Sequence, residues 1–322
     1  MRTAKKILLI VAIASIVAGL LLCFGAFAMM GFRLAGLNMM TLETHSYTVD
    51  EPFTNLFIDG AECDVRLRPS EDGSCKVVCK ESDKIDHTVR VVDGTLTVER
   101  VDHRRWYEHI FGFYWGSMEI TIYLPESAYA SLSVTSVSGN VEIPADFSFA
   151  EAKVQSTSGD VRFLASVENG LSVKTVSGDL SVRNTTPRNL HAQATSGDVS
   201  ITSVHVEGEL AVKTVSGDLA LSQITCGSVD AETTSGDVDA SSLLASGNLR
   251  IKTVSGDVDL RSCDAENLWI KTTSGDVSGK LLTEKFFVTD TTSGRVRVPQ
   301  SQSGGKCEVT TTSGDISFTV EG

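Results

Sequence analysis

Residues 171–182, LSVKTVSGDLSV, decide how this chain folds. Leu171 and Val173 alternate with Ser172 and Lys174, the two-residue period of a strand with one buried face. Thr175 and Ser177 continue the inward set with small polar side chains. Gly178 is expected to turn the chain through positive φ, which glycine reaches without a Cβ clash. Asp179 then reads as a carboxylate that closes its own corner on nearby backbone N–H groups. Leu180 and Val182 resume the alternation on a second strand.

The phrase Thr-(Val/Thr)-Ser-Gly-Asp-(Val/Leu) recurs ten times, with variations. Its glycines are Gly139, Gly159, Gly178, Gly197, Gly217, Gly236, Gly256, Gly275, Gly294 and Gly314, always 19 or 20 residues apart. Like residues fall in columns. Seven before the glycine stand Leu132, Leu171, Leu190 and Leu210; two after it stand Val141, Val161, Leu180 and Val199. Val204, Ile224, Leu243 and Cys263, seven after, suggest a third short face. Such columns stack into a continuous core. The expected fold is therefore all-β: a parallel β-solenoid, or β-helix, of about ten 19–20-residue coils, about 48 Å long at one strand spacing per coil.

Val176, Thr195, Val215 and Thr234 alternate within the phrase, which raises a 39-residue coil carrying two phrases. The outward column four before the glycine favours one phrase per coil. It reads Gln155, Lys174, Gln193, Lys213, Glu232, Lys252, Lys271, so that most lysines stack on Gln or Glu. The longer coil would stack Lys174, Lys213 and Lys252 on one another, and like charges on adjacent strands destabilise.

Ahead of the repeats the chain divides into four. Residues 1–6 carry Arg2, Lys5 and Lys6, a basic flank expected in the cytoplasm. Residues 7–32 contain no charge and at helical rise span about 39 Å, which predicts one N-terminal transmembrane helix with the rest of the chain outside the cell. A cleaved signal peptide ending at Ala26-Phe27-Ala28 is the rival reading, but the apolar run continues past that site. Residues 33–50 read as a tether. Residues 51–130 read as a β-rich cap, with Asn55–Leu67 a degenerate copy of the repeat turning at Gly60. Repeats fill 131–322.

The formal charge is −13, which argues against nucleic acid and anionic lipid as main partners and leaves cations or basic protein surfaces. Seven cysteines are too few for a disulfide scaffold of this length. Cys263 and Cys307 fall in apolar columns; a bond from Cys63 to Cys75 or Cys79 is open.

Two features are candidate sites. Asp160, Asp179, Asp198, Asp218, Asp237, Asp257, Asp276 and Asp315 form a turn ladder. It is read as structural; the sharper alternative is a row of Ca2+ ions, since hard cations prefer carboxylate oxygen. In WYEHIFGFYW, Trp106, Tyr107, Phe111, Phe113, Tyr114 and Trp115 make six aromatics in ten residues. They read as a plug over the solenoid end or as a tip that docks on a partner or the membrane interface. His103, His109, Asp102 and Glu108 nearby match no metal motif. Carbohydrate-cleaving β-helices need charges that break the repeat, and here only Arg295 and Arg297 do so, so no catalytic residues are assigned.

An apolar N-terminal segment, a strand-rich entry ending in ITIYLP (120–125) and reiterated T-x-S-G-D-V together resemble the bacterial "putative adhesin" family of membrane-anchored β-solenoid proteins. The resemblance covers roughly residues 45–322. It implies a non-enzymatic surface ectodomain of Gram-positive bacteria, adhesin-like or accessory to the envelope-stress response. It supplies no catalytic residues and no cofactor. The partner would be a protein or an envelope glycan. The alternative is a spacer presenting the 106–115 tip. The chain ends one strand after the last phrase, so self-association through a C-terminal solenoid edge is also expected.

Overall fold

A computed structural model describes residues 42–104 except 83, and 118–321, together with positions 15, 17–19 and 21. The predicted membrane segment, 7–32, and the aromatic tip, 106–115, lie outside the described residues apart from those five helical positions. Among the described residues, no helix is long and apolar enough to cross a membrane.

The entry region comprises β1 (Leu42–Val49), β2 (Asn55–Ala61), β3 (Asp64–Pro69), β4 (Cys75–Ser82), β5 (Ile85–Val92), β6 (Thr95–Asp102) and β7 (Glu119–Leu124). The body follows as β8 (Ala128–Ser138), β9 (Val141–Ile143), β10 (Ser148–Ser158), β11 (Val161–Phe163), β12 (Ser166–Lys174), β13 (Leu180–Arg183), β14 (Asn189–Gln193) and β15 (Val199–Lys213). It continues through β16 (Leu219–Glu232), β17 (Val238–Lys252), β18 (Val258–Lys271) and β19 (Val277–Leu281). The last elements are β20 (Lys285–Ser293), β21 (Val296–Arg297), β22 (Gly305–Ser313) and β23 (Ile316–Val320).

One phrase makes one coil. Leu180 pairs with Val199, Val199 with Leu219 and Leu219 with Val238, all in parallel register. Each coil has three faces, as β15 illustrates. Val199 and Ile201 point inward from one face, Val204 and Val206 from the short third face, Leu210 and Val212 from the first face of the next coil; all are buried. Between the second and third faces the chain turns at Ser203, where φ is 56°. The equivalent residues Gln223, Ser242 and Ser262 have φ of 52–54°. This corner is left-handed without glycine, and the sequence reading did not identify it.

Gly159, Gly178 and Gly197 have the positive φ expected of them, 138–154°, but the other glycines of the column have a different cause. At Gly236 φ lies outside the left-handed region, but an added Cβ would stand 2.0 Å from the carbonyl oxygen of Gly217 one coil away. Close backbone approach between coils excludes a side chain there.

The ends depart from chain order, which corrects the expectation that successive copies simply pile up. Leu268 of β18 pairs with Cys307 of β22, and Cys307 pairs in turn with Phe287 of β20. Likewise Val277 pairs with Ile316, and Ile316 with Val296. The last repeat, 305–320, is therefore inserted between the coils of Gly275 and Gly294. The exposed edge at that end is 285–297, not the C-terminal strand. The chain crosses back through Gly304, whose φ is 88° and whose Cβ would lie 1.9 Å from the carbonyl oxygen of Glu284.

The entry region mirrors this. β2 and β3 stack directly on β8 and β9, as the degenerate copy predicts. The coil beyond them is β6 and β7, which come later in the chain. Antiparallel strands cover its edge: β5 on β6, β4 on β7, and β1 on β4. β1 occupies part of the stretch expected as a tether. Cys63, Cys75, Cys79, Cys226, Cys263 and Cys307 are all buried free thiols, so the disulfide from Cys63 does not form.

Candidate functional site

The aspartate ladder is built by the coil-to-coil spacing. Each side chain leaves its corner and accepts a hydrogen bond from the backbone N–H of its counterpart in the next coil. Asp179 receives Asp198, Asp198 receives Asp218, Asp218 receives Asp237 and Asp237 receives Asp257, at 2.8–3.0 Å through Oδ1. The carboxylate thus ties two coils together rather than closing its own turn, a correction to the sequence reading. The row begins at Asp64, which accepts from Asn140; Asn140 accepts from Asp160 through its amide oxygen. It ends as Asp276 accepts from Asp315, and Asp315 from Arg295.

The exceptions to aspartate now have reasons. Asn140 supplies the same acceptor without charge. Arg295 stands in the outermost coil, where no further N–H needs an acceptor. Its Nε and Nη2 instead donate to Oδ2 of Asp315 at 2.9 and 2.6 Å, which holds that carboxyl below its usual range.

A second row runs beside the first. Hydroxyls of Thr214, Thr233, Thr253 and Thr272 donate to the carbonyls of Gly197, Gly217, Gly236 and Gly256 at 3.2–3.3 Å. The phrase Thr-x-Ser-Gly-Asp is thereby a coil-joining unit. Its threonine and aspartate supply lateral bonds, and its glycine permits the spacing that makes them.

The outward faces carry charge in rows. Lys213 stacks between Gln193 and Glu232, and Glu232 between Lys213 and Lys252. Lys213 and Lys252 reach Glu232 at 2.9 and 3.3 Å. A shallow depression of about 520 Å³ crosses the early coils, lined by Ser133, Lys153, Ser172, His191 and their neighbours. At the C-terminal end, the outermost coil exposes Phe286, Val288 and Val296.

The densest chemistry lies in the entry region. Cys75, Cys79 and Glu81 share the inward face of β4, and His87 points in from β5. Oε1 of Glu81 accepts from the backbone N–H of His87 at 3.0 Å and lies 3.0 Å from its Nδ1. Oε2 lies 2.7 Å from Nδ1 of His45 on β1. Nε2 of His87 is 3.7 Å from Sγ of Cys63. Burial pushes the imidazole of His87 down and the Cys63 thiol up to about 12, while the Glu81 hydrogen bond pushes His45 up. The sequence reading noted the cysteines but not Glu81, His45 or His87. A glutamate two places from Cys79 on an apolar strand face was the available signal. Of the other histidine grouping, His103 lies 3.0 Å from Asp86 and Asp102 is bonded to Arg104.

The profile of the Toastrack family DUF4097 matches residues 53–243 and 208–322. No curated protein matches the sequence. Among solved structures, a "putative adhesin" from Parabacteroides merdae ATCC 43184 superposes with TM-score 0.51 at 14% identity, covering 76% of this chain and 97% of that one. A "putative lipid binding protein" from Parabacteroides distasonis ATCC 8503 is similar at TM-score 0.45 and 14% identity, covering 87% and 97%. A "putative adhesin" from Bacteroides fragilis NCTC 9343 gives TM-score 0.41 and 16% identity, covering 87% and 97%. At such identities the first likeness is one of fold alone, and the looser two bear on nothing further. The family profile spans both the entry region and the repeats, and the chain belongs to the Toastrack family DUF4097.

Proposed function

We propose that the chain is a non-enzymatic, adhesin-like ectodomain or envelope-stress accessory protein at the cell surface, held in the membrane by residues 7–32 and displaying its solenoid outside. One observation carries this reading. The aspartates and most threonines of the repeat are engaged in joining coils, while the outward faces from β8 to β18 run in stacked, mostly polar and charged rows, one of them Gln155, Lys174, Gln193, Lys213, Glu232, Lys252 and Lys271. A long regular surface suits multivalent contact with a protein or an envelope glycan better than it suits catalysis, which needs convergent groups in a concave site. The acidic balance disfavours nucleic acid.

The test is a pull-down from envelope extracts with the ectodomain, repeated without residues 104–116. Charge reversal at Lys174, Lys213 and Lys252 is expected to lose the captured partner. Capture that survives reversal and also survives deletion of two whole coils, but needs 104–116, supports the alternative: a spacer presenting the aromatic tip. Capture indifferent to all three changes would sink both readings. The 285–297 coil, paired on one side only, is the edge through which copies would associate, rather than the C-terminal strand. Its Arg295 and Arg297, and Pro299 just beyond it, limit such pairing.

A further inference from the structure

Alternation along β4 places Cys79 and Glu81 on one inward face, and antiparallel pairing sets His45 of β1 directly opposite Cys79. β5 adds His87. Sγ of Cys79, a carboxylate oxygen of Glu81 and a ring nitrogen of His87 all lie within 4.8 Å of one another, and all three residues are buried. His45 is half exposed and opens the cluster to solvent. Tyr47 reaches both oxygens of Glu81 at 3.4 Å. Apolar Val77, Ile85 and Ile120 are near neighbours in the core, and Arg100 of β6 stands across from His87.

Burying a carboxylate, an imidazole and a thiol here is costly unless they are paired, and a hydrophobic residue would fill the same space without that cost. We propose that Cys79, Glu81, His87 and His45 form a binding site for one divalent transition-metal ion of the zinc class. The donor set is the kind such ions take: one thiolate, one carboxylate oxygen and two imidazole nitrogens. In a tetrahedral site these donors stand about 3.3–3.7 Å apart. The Glu81 contacts to His87 and His45, at 3.0 and 2.7 Å, would open slightly, and His45, outside the close group of Cys79, Glu81 and His87, would swing in toward them. A thiolate and a carboxylate neutralise the ion. On binding, the Cys79 thiol and any coordinating imidazole nitrogen that carries a proton give it up, to solvent or to the other ring nitrogen. Cys63, at Nε2 of His87, orients the ring from behind and is not a ligand. The ion would clamp β1, the first described strand, onto β4 and β5. This site is independent of the surface-binding role.

Co2+ titration of the full chain, reduced and without air, tests it. One equivalent per chain is expected to raise a thiolate-to-cobalt charge-transfer band with proton release, and Zn2+ should displace it. Cys79→Ser abolishes the band, Cys63→Ala keeps it, and His45→Ala weakens Co2+ binding at least about tenfold. Amide exchange of residues 42–49 slows when Zn2+ is added. Should Cys79→Ser fail to fold, the half-exposed His45 decides: unchanged affinity in His45→Ala overturns the proposal. So does the absence of a saturable band, or a band that follows Cys63 instead of Cys79. In those cases the cluster is a hydrogen-bonded polar core only.

Discussion

Between β8 and β19 the coils stack in the order in which they are translated; at the two ends they do not. In the middle, each coil meets its predecessor and successor in the chain. At the far end, residues 305–320 sit one coil inward of residues 285–297, and at the near end β2 and β3 sit one coil inward of β6 and β7. Both regions bury inward apolar residues, and the far end keeps the lateral threonine and aspartate bonds of the middle. The difference shows that the repeat fixes how neighbouring coils fit but not which coils become neighbours.

Removing residues 305–321 gives the largest expected effect. Simple end-to-end stacking would shorten the rod and leave the rest intact. Here the coil of 285–297 loses its only parallel partners among the described residues, so 285–304 should become protease-sensitive and exchange its amides freely. Protection retained there would restore plain chain order. Next is Gly236→Ala in the middle. Its methyl would meet the Gly217 carbonyl at 2.0 Å, and coils must part, at about 3 kcal/mol or more. Gly170→Ala, with nothing within 4 Å, should stay within about 0.5 kcal/mol by chemical denaturation.

Asp218→Ala removes the acceptor for the N–H of Asp237 and should cost about 1 kcal/mol, whereas Asp218→Asn keeps an acceptor and should cost less. Equal losses would mean that charge, not the hydrogen bond, matters in the row. If the lateral bonds alone hold the ladder, Ca2+ leaves the melting temperature unchanged; a rise of several degrees would place cations on the outer carboxylate oxygens. The smallest effect belongs to Glu232→Gln. The Lys213 hydrogen bond holds Glu232 below the usual carboxylate range, so its stabilisation is present above about pH 4.5 and is lost as pH falls through the folded value. The pair is partly exposed, so the variant should lose at most about 1 kcal/mol at neutral pH. The gap to the parent should close in acid.

How much was readable follows from the same contrast. Columns such as Leu171, Leu190 and Leu210 state their own stacking, because an inward apolar position recurring at one period can only be buried by its copies. The rule against like charges favoured the shorter coil through Lys174, Gln193 and Lys213, and the parallel register bears that out. The left-handed corner at Ser203 and Gln223 was hidden because no glycine marks it. The crossed ends were hidden because 285–297 and 305–320 carry the same phrase, and a period cannot distinguish equivalent copies. Two residues did record the crossing. Arg295 breaks the aspartate row where no coil follows, and Gly304 lets the return strand pass the Glu284 carbonyl. In the entry region, Glu81 on an apolar strand face was legible, but its partners on β1 and β5 become neighbours only through antiparallel pairing.

Because residues 285–297 continue covalently into β19 on one side and into β22 on the other, detaching them opens a closed loop instead of freeing a tail. A loop pinned at both feet gains less freedom than a dangling end. Thermal unravelling from that extremity is correspondingly discouraged, with no added contact required.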